Sequence, residues 1–306
     1  MRFQAPPPPA PGPVLHRIAG RSAAVGGATV RRLLPVAGRR LIGAWCFVDH
    51  FGPTRSAGPG VGIGPHPHIG LQTVTWLLSG CTRHRDSLGT DQRITAGQVN
   101  WMTAGRGIAH AEDGETPAGE ASHGLQLWVA LPDAARHGPP AFEHVARPPV
   151  VDLEGACGTV FAGRFGGAAC PATTHSPLVG LDLPLPDGAP RSLPLDPGFE
   201  YGALVVEGEV LVAGERVAPG TLLYLGQGRT ALSVVGLPAG RLILLGGAPL
   251  GEPVRMWWNF VFREPDELRA AVAAWNGGDA SRFPPVVGSP SPRIPAPALP
   301  GRLPPR

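Results

Sequence analysis

The apolar stretches of this chain are short, and glycine or proline separates one from the next. The 306 residues include 44 glycines and 38 prolines, both well above average usage. Segments 73–78, 126–130 and 222–225 are typical apolar runs of four to six residues. Runs of this length between turn-forming residues favour β-strands over helices, because helices need longer periodic segments. The sequence therefore predicts an all-β chain of many short strands joined by tight turns.

Length and charge narrow the class of protein further. A chain of 306 residues is too long for one ordinary core, and 43% hydrophobic residues suffice for two domains. The formal net charge is only +3 and the arginine pairs are isolated, so neither a nucleic-acid surface nor a membrane surface is predicted. No apolar run is long enough to span a bilayer, and the N-terminal segment has no apolar signal core. We expect a soluble, cytoplasmic protein.

The four cysteines show neither a metal-binding nor a disulfide pattern. Cys46, Cys81, Cys157 and Cys170 have no CxxC spacing, so we expect no zinc knuckle and no disulfide framework. We interpret all four as buried free thiols in a reducing cytoplasm.

Composition also divides the chain into segments. Both ends are proline-rich, and neither tail should join a sheet because proline removes backbone donors. Composition turns polar and proline-rich around 139–149, which predicts a domain boundary there. The predicted organisation is a tail at 1–13, a first β-domain at 14–140, a second β-domain at 141–263, a helix at 264–277 and a second tail at 278–306.

The helix near the C-terminus has start and stop signals. Pro265 fits the first helical turn, and two acidic residues follow it where the helix dipole favours them. Gly277 fits a C-terminal stop. The apolar residues that recur between them at helical spacing are Leu268, Ala271, Val272 and Trp275.

The two predicted β-domains resemble each other weakly. Gly97 and Gly220 each end a turn before an apolar strand, and in both halves another glycine follows eight residues later. This shared spacing indicates a duplicated β-barrel.

Two segments of the first barrel carry side chains suited to one metal ion. His66 and His68 are two residues apart, and alternate residues of a strand point to one face. His110 and Glu112 have the same spacing. Three imidazoles and one carboxylate suit Fe, Mn, Ni, Cu or Zn, and the absence of thiolates disfavours a closed structural zinc site. We predict that the four groups converge inside the barrel. When the two halves are aligned on their paired glycines, these four positions match Pro194, Asp196, Ser233 and Val235. The second barrel is therefore predicted to lack metal ligands.

The segments around these residues closely resemble the pirin family of the cupin superfamily. They read PHPHIGLQTVTWLLSG (65–80), NWMTAGRGIAHAE (100–112) and LQLWVALP (125–132). The resemblance implies a bicupin, in which two antiparallel cupin β-barrels pack face to face and only the first binds metal. It implies one divalent ion, with Fe(II) expected and Zn, Ni, Mn and Cu as alternatives. It also implies that the ligands are His66, His68, His110 and Glu112.

This chain departs from the commonest pirin pattern at two positions. Ile69 and Gln72 stand where arginine and glutamate are usual, which alters the charge expected beside the metal. The C-terminal sequence MWWNFVF (256–262) also differs from the usual family ending. The chain looks like a member of a bacterial subgroup.

The resemblance supports two functions of different classes. In the first, the chain is a quercetin 2,3-dioxygenase-like oxidoreductase that binds a flavonol or another enol or catechol at an open metal position. Glu112 then leaves the metal and acts as general base. In the second, the chain is a non-enzymatic metal- or redox-sensing module that regulates a partner protein. The expected partners are a small aromatic or enolic substrate, or a protein, with no direct nucleic-acid contact and no membrane.

Other side chains near the two motifs are interpreted as structural. His50, His84 and His123 could contact the ligands from behind, but single histidines are more often structural or surface residues. Arg106 fits a turn. Four apolar side chains fit barrel core better than a substrate pocket, namely Trp76, Trp101, Met102 and Leu127.

Overall fold

A computed structural model describes residues 12–59 and 62–301. The strands of the N-terminal half are β1 (Pro13–Ala19), β2 (Arg21–Val25), β3 (Ala28–Leu34), β4 (Trp45–Arg55), β5 (Gly62–His68), β6 (Leu71–Ser79), β7 (Cys81–Asp86), β8 (Asp91–Thr95), β9 (Val99–Thr103), β10 (Ile108–Gly114), β11 (Ala121–Ala130) and β12 (Ala141–Val145). The elements of the C-terminal half are β13 (Val150–Leu153), β14 (Ala156–Phe165), β15 (Ala168–Ala169), β16 (Leu178–Leu185), β17 (Arg191–Pro194), β18 (Glu200–Val212), β19 (Glu215–Val217), β20 (Thr221–Gly226), β21 (Ala231–Gly247), β22 (Arg255–Trp257), β23 (Phe260–Phe262) and the helix α1 (Pro265–Gly277). Residues 1–11 of the predicted N-terminal tail and residues 302–306 of the second tail lie outside the described residues.

The predicted all-β class is confirmed, and the strands form two barrels of the same topology. In the first barrel one sheet contains the order β9-β6-β11-β4, and a smaller sheet has the order β5-β10-β7-β8. In the second barrel the order β20-β18-β21-β16 repeats the first of these sheets. In the second barrel β17 pairs with β21, as β5 pairs with β10 in the first. Likewise β19 pairs with β18, as β8 pairs with β7. The repeated order is what a duplicated barrel requires.

Many strands are longer than the predicted four to six residues. β18 has 13 residues and β21 has 17, and both lie in one continuous sheet, where the first barrel uses two separate strands in two sheets. The register between them shifts between Gly208 and Val210, opposite a stretch that includes Pro238. A bulge of this kind bends a strand without ending it, so glycine and proline do not mark strand ends here.

The alignment of the two halves on their paired glycines is wrong by two residues in one strand. In the first barrel β5 places His66 opposite His110. In the second barrel the corresponding strands place Ser192, and not Pro194, opposite Ser233. Counting between turns misses such an offset because loops of the two halves differ in length. Both serines are exposed, so neither side chain takes the buried place that the imidazoles have in the first barrel.

Tryptophans of the first barrel carry the contact between the barrels. The indole N–H of Trp45 donates to the carbonyl oxygens of Val179 (3.2 Å) and Gly246 (3.1 Å). The indole of Trp76 stacks on Phe161, with ring centroids 5.1 Å apart. Trp45, Trp76, Phe161 and Val179 belong to one apolar cluster that spans both barrels, which is the expected face-to-face packing.

The barrels exchange strands at their edges, across the predicted boundary between 14–140 and 141–263. β1 pairs with β20 of the second barrel, and its pairing starts at Pro13, a residue assigned to the N-terminal tail. β12 pairs with β9 of the first barrel. Composition could not reveal this exchange, because an edge strand joins whichever open edge lies beside it in space.

The predicted C-terminal helix is confirmed. It starts with Pro265 at the first turn, and its buried residues are the four predicted from helical spacing. The left-handed residue that stops the helix is Gly278 (φ 74°), one position after the predicted Gly277. Among the described residues no helix combines the length and the apolar character needed to cross a membrane.

The proline-rich segment after α1 lies along the edge strand β5. The Ile294 N–H donates to the carbonyl oxygen of Pro65 (2.8 Å), and the indole of Trp275 donates to the carbonyl oxygen of Ile294 (2.9 Å). A Cβ atom on Gly64 would collide with the carbonyl oxygen of Pro292, so this close approach requires glycine. The tail thus covers the edge of the strand that carries two candidate ligands.

The cysteines are free, as predicted, but they are not all buried. Cys46, Cys81 and Cys170 are buried, whereas Cys157 is exposed. Cys157 lies in β14 at a position that faces outward.

Candidate metal centre

Two neighbouring strands of the small sheet bring the predicted histidines together. β5 and β10 run antiparallel, and His66 lies directly opposite His110. His68 lies two residues from His66 on the same strand and therefore on the same face. The register shifts after this pair, because β5 has one more residue than β10 between the next paired positions. This bulge bends β5 immediately beside the histidines.

The three imidazoles form one compact, buried cluster. Their ring centroids are 5.0 Å apart for His66 and His68, 4.4 Å for His66 and His110, and 5.0 Å for His68 and His110. One ring nitrogen from each lies within 4.8 Å of the others, and the Nε2 atoms of His68 and His110 are 3.1 Å apart. Each residue is at most 6% exposed. The geometry fits three nitrogen ligands around one ion.

Backbone carbonyls orient two of the rings. The Nδ1 of His66 lies 2.9 Å from the carbonyl oxygen of Gly64. The Nδ1 of His68 lies 2.9 Å from the carbonyl oxygen of Asn259, in the turn between β22 and β23. A carbonyl only accepts, so each Nδ1 carries the proton and each Nε2 keeps a free lone pair. These are the tautomers that a metal requires of ligands bound through Nε2.

The third ring has a different partner, His84, which the sequence analysis named as a possible contact behind the ligands but interpreted as structural, whereas Asp86 was missed. The Nδ1 of His110 lies 3.3 Å from the Nδ1 of His84, and the Nε2 of His84 lies 3.0 Å from a carboxylate oxygen of Asp86. His84 and Asp86 are buried and lie on β7, directly across from Glu112 and His110. The two-residue spacing of His84 and Asp86 could have indicated this contact from the sequence, because it matches the spacing of the ligand pairs.

Burial keeps the three imidazoles uncharged. It lowers the pKa of His66 to about 4 and lowers the pKa values of His68 and His110 well below their usual value. The neighbouring imidazoles reinforce this effect at His68 and His110. The neutral form of imidazole is the one that binds metal ions, so the cluster carries no positive charge that would repel a cation.

Glu112 lies beside the histidine cluster but is not part of the group whose ligand atoms lie within 4.8 Å. Its described side-chain contact is a long hydrogen bond of 3.4 Å from the Thr75 hydroxyl. That hydroxyl has a shorter bond of 2.9 Å to Gln126, and it has only one hydrogen to donate. Burial raises the pKa of Glu112. A partly buried carboxylate with so weak a partner, two residues along β10 from His110, fits a site that accepts a cation.

The two positions that depart from the commonest pirin pattern pack against other segments. Ile69 is buried with Phe260 in the apolar cluster around α1. The side-chain amide of Gln72 donates to the Thr103 hydroxyl (2.8 Å) and to the carbonyl oxygen of Thr173 (2.9 Å) in the second barrel. These contacts hold neighbouring segments together.

The remaining side chains singled out in the sequence have mainly structural contacts. Trp76 and Trp101 belong to the core between the barrels, and Arg106 is exposed in its turn. His50 and His123 pair with each other, with Nε2 atoms 2.8 Å apart. Met102 and Leu127 are buried in apolar clusters.

Known proteins match this chain over both barrels. Residues 27–129 match the Pirin family, and residues 180–283 match the Pirin C-terminal cupin domain. A Pseudomonas aeruginosa protein provisionally named a quercetin 2,3-dioxygenase is 47% identical over 95% of this chain and 92% of its own length. A pirin-like protein of Caulobacter vibrioides is 35% identical over 83% of this chain and 90% of its own.

The solved structures agree with these relatives. The crystal structure of a quercetin 2,3-dioxygenase from Acinetobacter baumannii matches with a TM-score of 0.89 and 41% identity, over 94% of this chain and 97% of that chain. The fold, the pirin motifs and the relatives lead to one assignment: this chain belongs to the pirin family of metal-binding cupins.

Proposed function

We propose that this chain is a metal-dependent dioxygenase of the quercetin 2,3-dioxygenase type. The observation that carries the proposal is the cluster of three buried imidazoles, each of which has one ring nitrogen within 4.8 Å of those of the other two. His66, His68 and His110 would hold a divalent ion, with Glu112 as the fourth ligand. Nitrogen and carboxylate donors of this kind suit Fe(II), which we propose as the ion.

The relatives support the choice of substrate class. The relative with 47% identity is provisionally named a quercetin 2,3-dioxygenase, and the solved structure with 41% identity carries that name. We therefore propose a flavonol, or another substrate with an enol or catechol hydroxyl. A bound divalent ion would supply Lewis acidity, which lowers the pKa of a coordinated hydroxyl.

The chain's own groups would position the substrate and accept its proton. Among the described residues, Glu112 receives one side-chain hydrogen bond, the long bond from Thr75. Its carboxylate would turn toward a substrate hydroxyl and take the proton as general base. Trp128 lies against His68 with ring centroids 5.2 Å apart and stacks on Phe47 at 4.0 Å. These aromatic rings fix the orientation of the His68 ring and exclude water from that side of the site.

The test uses purified full-length protein, stripped of metal and reloaded anaerobically with Fe(II). Quercetin absorbance and dissolved oxygen are then followed together after air is admitted. We expect both to fall with the same stoichiometry, and we expect His110→Ala to abolish both changes. Unchanged absorbance with a fully loaded site would contradict the quercetin activity. The same assay with a simple catechol then tests the wider substrate class.

A second candidate function is a non-enzymatic metal- or redox-sensing module that regulates a partner protein. The burial of the three rings favours it, because a substrate could reach them only if neighbouring groups move. The two described cavities, of about 1050 Å³ and 490 Å³, are lined by other residues. A fully loaded protein that consumes no oxygen with any enol or catechol, yet changes its affinity for a protein with the oxidation state of the metal, would support this alternative.

A further inference from the structure

His110 differs from the other two clustered histidines in what holds its ring. His66 and His68 each contact a backbone carbonyl through Nδ1. His110 instead contacts the side chain of His84 (3.3 Å), which in turn contacts Asp86 (3.0 Å). A buried chain of three side chains therefore ends at the candidate metal position.

The direction of the hydrogen bonds in this chain follows from Asp86. One oxygen of its carboxylate accepts the backbone N–H groups of Leu88 (2.9 Å) and Thr90 (3.1 Å). The other oxygen faces the Nε2 of His84. Burial alone would raise the pKa of Asp86, but the hydrogen bonds from His84 and from the two backbone N–H groups outweigh it and lower the pKa. The ionised carboxylate can only accept, so the Nε2 of His84 donates.

We infer that Asp86 and His84 are positioning residues that set the tautomer of His110 and thereby its affinity for the metal. With the His84 proton on Nε2, the Nδ1 of His84 accepts the Nδ1 proton of His110. The Nε2 of His110 then keeps its lone pair for the ion. The inference rests on the metal site of the proposed function and adds two residues to it.

The surroundings of His84 keep the hydrogen-bonded side chains of Asp86, His84 and His110 in one arrangement. Its ring stacks on Phe142 of β12, with centroids 4.5 Å apart and an interplanar angle of 21°. His84 is 4% exposed and Asp86 is 2% exposed, so water does not compete for their hydrogen bonds. Two short segments of β7 and β12 thus hold a ligand that belongs to β10.

The change Asp86→Asn should reverse the direction of the hydrogen bonds from residue 86 through His84 to His110. The backbone donors of Leu88 and Thr90 require an acceptor, so they hold the amide oxygen and turn the NH2 group toward His84. The Nε2 of His84 must then accept, and its proton moves to Nδ1. His110 is forced to accept at Nδ1 and to carry its proton on Nε2, where it blocks the metal.

The experiment compares the wild type, Asp86→Asn and the control Asp91→Asn. Asp91 is a half-exposed aspartate that pairs with Arg83 and Arg85 on β7, so the control makes the same chemical change away from the ligands. Long-range ¹H–¹⁵N NMR of the metal-free proteins at pH 8 reports the tautomer of His110. Chelator competition reports the affinity for Zn²⁺.

We expect an Nδ1-protonated His110 in the wild type and control, an Nε2-protonated His110 in Asp86→Asn, and about 10- to 100-fold weaker Zn²⁺ binding in that variant. An unchanged tautomer together with unchanged affinity would overturn the inference. A second variant, His84→Phe, keeps a ring against Phe142 and covers the case in which Asp86→Asn does not fold. It should weaken Zn²⁺ binding, and unaltered binding would also count against the inference. A wild type that binds no Zn²⁺ would instead refute the proposed metal site, while the NMR tautomers still decide whether the hydrogen-bonded chain exists.

Discussion

His66 and His110 lie directly opposite each other on antiparallel strands, with ring centroids 4.4 Å apart. Opposed residues of an antiparallel pair share one face of the sheet, so both rings point into the first barrel. His68 joins them because it is two residues further along the same strand. The candidate metal centre is therefore built from two adjacent strands.

Removal of one clustered imidazole should remove most of the metal affinity. We expect His110→Ala to bind Zn²⁺ more than about 100-fold more weakly than the wild type, because the remaining donors no longer surround the ion. Chelator competition and elemental analysis of the purified protein measure the effect. His175→Ala, at an exposed histidine of the second barrel, is the control and should retain full metal content. Equal metal content in both variants would show that the ion binds elsewhere.

Replacement of Glu112 should separate metal binding from turnover. In Glu112→Gln the three imidazoles remain, so the variant should keep metal, yet it loses the carboxylate that accepts the substrate proton. We expect turnover of quercetin to fall about 100-fold or more at equal metal loading. Glu115→Gln, which changes an ion pair with Arg83 on the outside of the sheet, should turn over like the wild type. Full activity of Glu112→Gln would exclude Glu112 as the base.

The contact between the barrels should depend on Asp182. Its carboxylate accepts two hydrogen bonds from Arg241 (2.8 Å each) and one from the indole of Trp76 (2.8 Å). Asp182→Ala leaves both donors without their acceptor, which should destabilise the fold by about 3 kcal/mol. Differential scanning calorimetry would show a thermal midpoint several degrees lower. Glu209→Ala breaks an exposed pair with Arg216 and should change stability by less than about 1 kcal/mol.

Stability should fall as the pH drops from about 6.5 toward 4. Burial, reinforced by His123 and Arg31, lowers the pKa of His50 from 6.5 to about 4. In this window the unfolded chain takes up a proton that the folded chain does not, so the free energy of unfolding decreases with decreasing pH and is at its full value above 6.5. His50 alone would contribute about 3 kcal/mol to this loss.

The change His50→Gln tests that pH dependence, because glutamine can still donate a hydrogen bond to His123 but does not titrate. The thermal midpoint of this variant should fall less between pH 7 and pH 5 than that of the wild type. A parallel decline in both proteins would show that His50 is not the group responsible.

The fold class was predictable because its signals are local. Glycine and proline between short apolar runs predict strands wherever they occur, and Pro265 with its apolar spacing predicts α1. The exchange of β1 and β12 between the barrels was not predictable, because any open sheet edge offers the same backbone donors and acceptors. The length of β21 was missed for a related reason, since a bulge and a turn look alike in sequence.

The sequence by itself determined which side chains share a face, since alternation along a strand puts His66 with His68, and His110 with Glu112. Only the tertiary structure decided how these faces meet. It gathered three imidazoles, left Glu112 beside them with a weak partner, and placed His84 and Asp86 behind His110. The physical reason is the distance along the sequence over which each feature is determined. Side-chain direction follows from the local backbone, whereas the neighbour across a sheet depends on the packing of the entire barrel.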